Sequence, residues 1–256
     1  MSGLLKLFAE KELFTFDQAL QYSTTSKASL SRLLNKYINQ NKILKIRNGL
    51  YYLIPFGKST VTPNPYKIAA SLTTDYYLAY HTALELHGVA YTTFNIKYIA
   101  AKKLFKPFFY NEITYQSTKA INDNLNTGIV ELLIDNLLVK VSDRERTLID
   151  CLDRMNYCGG IEETIKSLRN FPSVNFNNLY KYLTKLNRKI LFSKTGWLLQ
   201  LLQDRWNVEN KFLDKLKRHV SKRPMYLYNL EGFEYKYNSF WNLMIPSNIN
   251  NMLKGV

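Results

Sequence analysis

The sequence predicts an α+β fold in which helices and strands are segregated along the chain. Three observations lead to this class. Residues 1–55 combine helix-like periods with a short strand pair, residues 96–141 alternate as strands do, and residues 143–220 return to helix-like periods. With 256 residues, of which 46% are hydrophobic, the chain can bury a sizeable core.

Two short helices are predicted before residue 22. The first spans about residues 3–11, where Leu4 and Leu7 share one face. The second spans residues 16–21, because Thr15 precedes it and its hydroxyl can cap the first free backbone N–H groups.

A third helix is predicted from about Ser26 to Asn41. Either Thr25 or Ser26 can serve as its N-cap. Its apolar residues recur at the spacing of one buried stripe: Leu30, Leu33, Leu34, Tyr37 and Ile38. Its opposite face carries small and polar residues.

Residues 43–54 predict a β-hairpin. Two runs rich in β-branched and aromatic residues flank Asn48-Gly49, a turn sequence that supplies positive φ, and Pro55 ends the second run. A helix, a helix–turn–helix and a hairpin within about 55 residues follow the order of a winged helix-turn-helix domain. In such domains the second helix of the pair enters the DNA major groove, and the hairpin, or wing, can touch the neighbouring backbone.

The charge distribution favours a polyanionic partner. The chain holds 35 Lys and Arg against 20 Asp and Glu, a net charge of +15. Residues 1–59 hold nine basic and three acidic groups (+6), residues 60–142 seven and six (+1), and residues 143–256 nineteen and eleven (+8). Clustered basic charge of this kind is typical of nucleic-acid binding.

The predicted DNA contacts lie on the third helix and on the wing. Arg32 offers a bidentate donor for guanine, and Asn35 offers an amide for adenine. At the wing, Lys45, Arg47 and Asn48 can reach phosphates or the minor groove. The other predicted contacts on the helix are Thr25, Lys27, Ser29 and Lys36. Two alternatives stay open: the helix face and hairpin are purely structural, or the module binds only protein.

A domain boundary is predicted at Pro63 and Pro65, which separates a DNA-binding domain, residues 1–60, from an α+β effector domain, residues 61–256. The two are expected to fold separately. The second domain is predicted to contain helices and strands in this order: a helix at 66–88, strands at 96–100, 108–116, 129–134 and 137–141, a helix capped by Ser142 or Asp143, further helices to about 220, and strands at 225–228 and 233–237.

The sequence predicts no enzyme, no metal site and no cofactor. His81 and His87 are six residues apart and Cys151 and Cys158 seven apart, and neither spacing suits zinc. One catalytic hypothesis is open, a Mg²⁺ site built from the acidic residues Asp143, Glu145, Asp150 and Asp153. Against it, nearby arginines can neutralise these carboxylates, namely Arg144, Arg146 and Arg154.

A cytoplasmic location is expected. Two cysteines cannot build a disulfide scaffold, and charged residues interrupt the apolar start of the chain before a signal-peptide core could form. No apolar run approaches the ~18 residues of a membrane span, so no membrane partner is expected.

Four segments resemble AbiEi-type antitoxins of type IV toxin–antitoxin systems, which are related to abortive phage infection. The segments are KILKIRNGLYYLIP at 42–55, YYLAYHTALELHGV at 76–89, VSDRERTLIDCLDRMNYCGGIEE at 141–163 and SKTGWLLQLL at 193–202. The segment around residues 146–150 is the most specific. The resemblance implies an autorepressor that binds its own promoter and counteracts a nucleotidyltransferase-like toxin. A winged-helix transcription factor with an unrelated effector or dimerisation domain is the alternative.

A C-terminal basic stripe is predicted on a helix from about 211 to 220. It is defined by Lys211, Lys215, Arg218 and Lys222. A basic stripe of this kind is most often a helix face exposed to solvent, with no further function. It could also hold DNA flanks, a structured RNA or an acidic surface of the toxin.

Overall fold

A six-stranded sheet separates two layers in the computed structural model, which describes residues 4, 7, 8, 11–55, 57 and 61–253. The amino-terminal elements pack on one face of the sheet and the helices that follow residue 143 pack on the other. The predicted α+β class is confirmed.

The amino-terminal part begins with helical residues at 4, 7 and 8, within the predicted first helix; apart from Lys11, the rest of that prediction lies outside the described residues. Five elements follow: β1 Leu13–Thr15, α1 Phe16–Gln21, α2 Lys27–Asn39, β2 Ile43–Arg47 and β3 Leu50–Leu53. The three strands form an antiparallel sheet in the order β1-β3-β2.

Local hydrogen bonds place α1 and α2 where the sequence predicts them. Thr15 accepts from the Gln18 backbone N–H (3.2 Å), and the Gln18 side chain accepts from the Thr15 N–H (2.9 Å), which completes a capping box. Ser26, not Thr25, caps α2 by accepting from the Ser29 N–H. In the hairpin turn, Gly49 supplies the positive φ of 81°.

The central sheet has the strand order β6-β7-β5-β4-β9-β8. Its elements and the helices between them are α3 Pro65–Ala70, β4 Tyr76–Leu78, α4 Tyr80–Leu86, β5 Ile96–Ala101, β6 Phe108–Tyr110, β7 Ile113–Thr118, β8 Ile129–Ile134 and β9 Leu137–Ser142. Two element predictions are wrong. The single helix at 66–88 is interrupted by β4, because β5 and β9 pair with that segment, and the strand at 108–116 is a hairpin that turns at Asn111-Glu112.

The second layer is helical: α5 Arg144–Asp153, α6 Ile161–Arg169, α7 Phe176–Leu186, α8 Lys189–Leu201, α9 Gln203–Trp206 and α10 Asn210–Lys217. A small sheet, β10 Met225–Tyr226, β11 Tyr235–Asn238 and β12 Leu243–Pro246, follows it and precedes α11 Ile249–Met252. Of the two predicted caps, Ser142 and Asp143, it is Asp143 that caps α5, by accepting from the Arg146 N–H. None of the described helices is both long enough and apolar enough to cross a bilayer.

The buried core crosses the predicted boundary at residues 60–65. Leu13, Ile46, Leu50 and Tyr52 of the amino-terminal part share one apolar cluster with residues of α3 and the central sheet, such as Ile68. The hairpin is therefore covered on both faces, because its alternate residues pack against α2 and the helical residues at 4 and 7. A separate apolar cluster lies wholly within the described residues up to Leu53, so the amino-terminal part has a core of its own and shares a second one with the sheet.

Candidate functional site

The polar face of α2 is exposed to solvent. Among the described residues, no side-chain hydrogen bond or ion pair involves Lys27, Arg32, Asn35 or Lys36. On the opposite face, Leu30 and Leu34 are buried in the amino-terminal core, as predicted. The remaining predicted contacts, Thr25 and Ser29, are exposed. The Thr25 hydroxyl bonds to Ser23, and the Ser29 hydroxyl accepts from Ser26.

At the hairpin, Lys45 and Asn48 are exposed but Arg47 is half-buried. The Arg47 guanidinium carbon lies 5.2 Å from the ring centroids of both Phe105 and Phe108, and burial lowers the pKa of this arginine. The structure thus brings Lys45 and Asn48 into solvent, while Arg47 faces the second part of the chain. This contact joins the β2-β3 hairpin to the loop between β5 and β6.

Polar contacts also fix the amino-terminal part on the sheet. The ammonium of Lys67 donates to Glu12 (2.5 Å) and to the carbonyl of Asp135 (3.1 Å). Asn64 donates to the Asp135 carboxylate at 2.8 Å. Together with the shared apolar cluster, the Lys67–Glu12 pair holds the amino-terminal part against the sheet.

The four carboxylates of the Mg²⁺ hypothesis are engaged separately. Asp143 caps α5 and accepts from Tyr182, whereas Glu145 accepts from the Asn175 N–H. Asp150 pairs with Arg146, and Asp153 pairs with two further arginines, Arg188 and Arg154. Within the described part of the chain, no group of three or more His, Cys, Asp or Glu is placed to hold a metal ion.

The segment at residues 146–150 forms a buried network. Arg146 donates to Asp150 (2.8 Å), to the Tyr77 hydroxyl (2.6 Å) and to the carbonyls of Thr127 and Asn124. The Tyr77 hydroxyl in turn donates to Asp150 at 2.9 Å. Because Arg146 and Asp150 are completely buried, this segment serves the architecture by joining α5 to β4.

His81 lies in a second enclosed network. Its ring stacks on Phe94 with centroids 3.7 Å apart, and its two nitrogens lie 3.4 Å from Glu85 and Glu163. Glu85 also pairs with Lys97 at 2.5 Å. Glu163 accepts from the Thr92 N–H and from the Ser167 hydroxyl, so both carboxylates beside this histidine have further partners, and the arrangement is that of a core network.

The two cysteines are buried, as predicted for Cys151, and Cys158 is equally inaccessible. Burial raises the pKa of the Cys151 thiol. Of the C-terminal basic stripe, Lys211 and Lys215 lie on α10, but the helix ends at Lys217. The prediction that the helix reaches residue 220 is therefore wrong, and Lys222 lies beyond it.

Lys194 provides a pH-dependent prediction. Its ammonium is buried in α8 and donates to the carbonyl of Leu152 at 2.9 Å, and burial lowers its pKa from 10.5 to about 8. In the unfolded chain the Lys194 pKa returns to its ordinary value. Between about pH 8 and pH 10.5 the unfolded state therefore binds more protons than the folded state. Stability contributed by this group therefore increases as the pH rises through that window.

We expect the free energy of unfolding of the wild type to rise from pH 8 to 10 relative to that of Lys194→Met. Urea unfolding at each pH measures it. Lys189→Met, which removes an exposed lysine of the same helix, should follow the wild type. Parallel pH profiles for wild type and Lys194→Met would contradict the assignment.

Three exposed lysines lie outside the set of predicted site residues: Lys102, Lys103 and Lys106. They lie in the loop that contacts Arg47. The run KKLFK was the signal, but the low net charge of residues 60–142 concealed it.

Comparison with known proteins establishes a fold likeness. No family model matches the chain, and no curated protein matches it. The crystal structure of the RV2827C protein from Mycobacterium tuberculosis is similar, with a TM-score of 0.61 and 12% identity over 95% of this chain and 90% of that one. At this identity the similarity is one of fold alone, and it extends over both layers of the molecule.

Proposed function

We propose that this protein binds duplex DNA in a sequence-specific way through a winged helix-turn-helix formed by its amino-terminal part. The observation that carries the proposal is the exposed face of α2. Arg32 and Asn35, two side chains suited to base edges, lie there without a partner among the described residues. Such groups are available to a ligand at no cost in broken contacts.

The order of elements supports this proposal. A helical start, β1, α1, α2 and the β2-β3 hairpin follow one another as in winged DNA-binding domains, and β1 pairs with the second hairpin strand. The net charge of +6 in residues 1–59 supplies the attraction to phosphate. In this arrangement α2 reads the major groove, and Lys45 and Asn48 contact the backbone beside it.

The biological role that we propose is that of a cytoplasmic antitoxin and transcriptional autorepressor. It rests on the resemblance of residues 42–55, 76–89, 141–163 and 193–202 to AbiEi-type antitoxins. The proposed partners are the protein's own promoter and a nucleotidyltransferase-like toxin, which it counteracts directly or indirectly. The proposal assigns no catalytic residue, metal or cofactor.

Substitution of Arg32 tests the DNA-binding proposal. Arg32→Ala should weaken binding to duplex from the protein's own upstream region by about 1–3 kcal/mol, because one bidentate base contact carries about that much discrimination. Fluorescence anisotropy with that duplex and with a shuffled duplex measures the affinity and the preference. Arg223→Ala removes another exposed arginine, far along the chain, and is the matched control. Equal wild-type affinity for both duplexes would overturn the proposal.

Coexpression tests the antitoxin role. The full chain should restore growth to cells that express the neighbouring nucleotidyltransferase-like protein of the same operon from an unrelated promoter. Rescue by Arg32→Ala would show that neutralisation does not depend on repression of toxin synthesis. Absence of rescue by the wild type would favour the alternative, a winged-helix transcription factor with an unrelated effector or dimerisation domain.

A further inference from the structure

We infer that the lysine loop, residues 102–107 between β5 and β6, is a second contact for the DNA backbone beside the wing. The inference rests on the proposed function. It extends the DNA-binding surface from the amino-terminal part onto the central sheet, through Lys102, Lys103 and Lys106.

The lysine loop contacts the wing through aromatic rings that face Arg47. Phe105 lies within the loop and Phe108 begins β6, and both rings face the Arg47 guanidinium with its carbon 5.2 Å from each centroid. Arg47 immediately precedes the turn at Asn48-Gly49. A duplex that touches the exposed turn of the wing therefore lies next to the lysine loop as well.

Hydrogen bonds and ring stacking fix the conformation of the lysine loop. The Phe105 N–H donates to the Ser117 hydroxyl (2.8 Å), and that hydroxyl donates to the Phe105 carbonyl (2.9 Å). Phe108 stacks on the buried ring of Tyr115, with centroids 5.0 Å apart. Anchored in this way, the loop presents its charges without the entropy cost of ordering a free segment.

The lysine loop also concentrates positive charge. Three of the seven basic residues of the segment 60–142 fall within five positions of this loop. All three are exposed, and within the described ranges no ion pair involves them. Asp75 is the acidic residue next to Lys102. The backbone N–H of Lys102 donates to the backbone carbonyl of Asp75 at 3.0 Å. Lys103 and Lys106 are therefore the stronger candidates for phosphate contact.

Phosphate is the ligand chemistry that suits this surface. A lysine ammonium acts on phosphate as a point charge and carries no base preference. Each neutralised phosphate releases counterions, so the slope of log K against log salt changes by about 0.9 per contact. The lysine loop should therefore contribute to affinity for any duplex and leave the sequence preference to α2.

The test uses the full chain and a shuffled 24-base-pair duplex, a length set to about two helical turns. Anisotropy titrations over a range of salt concentrations give the slope for wild type and for K102A/K103A/K106A. The triple variant should reduce the slope by about 2 to 3, at about 0.9 per lost contact. K102R/K103R/K106R should retain the wild-type slope. Circular dichroism checks that each variant is folded.

A matched control separates local contact from net charge. K181A/K185A/K189A also removes three exposed lysines, but from α7 and α8 in the layer on the other face of the sheet. It should change the slope much less than the loop variant does. An unchanged slope in the loop variant, or equal changes in both, would overturn the inference, whereas the proposed function stands as long as the wild type prefers its upstream duplex to the shuffled one. Failure of the wild type to bind any duplex would overturn both.

Discussion

Replacing Arg146 by methionine is expected to lower the free energy of unfolding by about 3–5 kcal/mol, because it leaves a buried charge without its partner. Arg146 donates to Asp150, Tyr77 and two backbone carbonyls in a fully enclosed site. The variant keeps much of the volume of the side chain but none of its hydrogen bonds. Urea unfolding followed by circular dichroism measures the loss.

Two comparisons make this prediction specific. Arg154→Met breaks an ion pair at 3.7 Å near the surface and should cost about 0–1 kcal/mol. Burial raises the pKa of Asp150, and Arg146 opposes that shift. Without Arg146 the folded state holds the carboxyl proton more tightly than the unfolded state, so the variant should lose stability as the pH rises from 4 to 7. Equal costs for both arginines would show that the network is unimportant.

Trp241→Ala is expected to destabilise the protein by about 3–5 kcal/mol. The indole is completely buried against α8, and its N–H donates to Gln200 at 2.6 Å. It fits there because Gly196 has no side chain: an added Cβ would overlap the Trp241 ring. The close approach attaches the C-terminal strands to the helical layer.

Gly196→Ala distinguishes this close approach from ordinary helix propensity. In a free helix position the change would stabilise by about 1 kcal/mol, whereas here we expect a loss of about 1–3 kcal/mol from overpacking. In the Trp241→Ala background the clash is gone, so the same change should become neutral or stabilising. A loss of equal size in both backgrounds, measured by urea unfolding, would contradict the packing account.

The amino-terminal elements could be predicted because their signals are local. Thr15 and Ser26 cap their helices, and Gly49 turns the hairpin. The face of α2 that the hydrophobic period assigns to solvent is exposed, including Arg32 and Asn35. These features depend on residues within a few positions of each other.

The wrong element predictions concern segments whose structure depends on residues far away in the chain. The strand β4 is only three residues long, and its pairing with β5 and β9 overrides a helix-like local pattern. The apolar cluster that crosses residue 60 and the contact of Arg47 with Phe105 both join segments far apart in the chain. Periodicity carries no information on such contacts, so the position of the lysine loop beside Arg47 could not be predicted from the sequence.

Methylation protection of guanine N7 on the upstream duplex shows whether α2 binds base edges, because N7 lies in the major groove where α2 is proposed to bind. With the wild type at saturation we expect one short protected segment, and Arg32→Ala should restore the reactivity of a guanine within it. A bound duplex on which every guanine stays reactive, or an unchanged protection pattern with Arg32→Ala, would contradict the claim that the exposed face of α2 reads DNA.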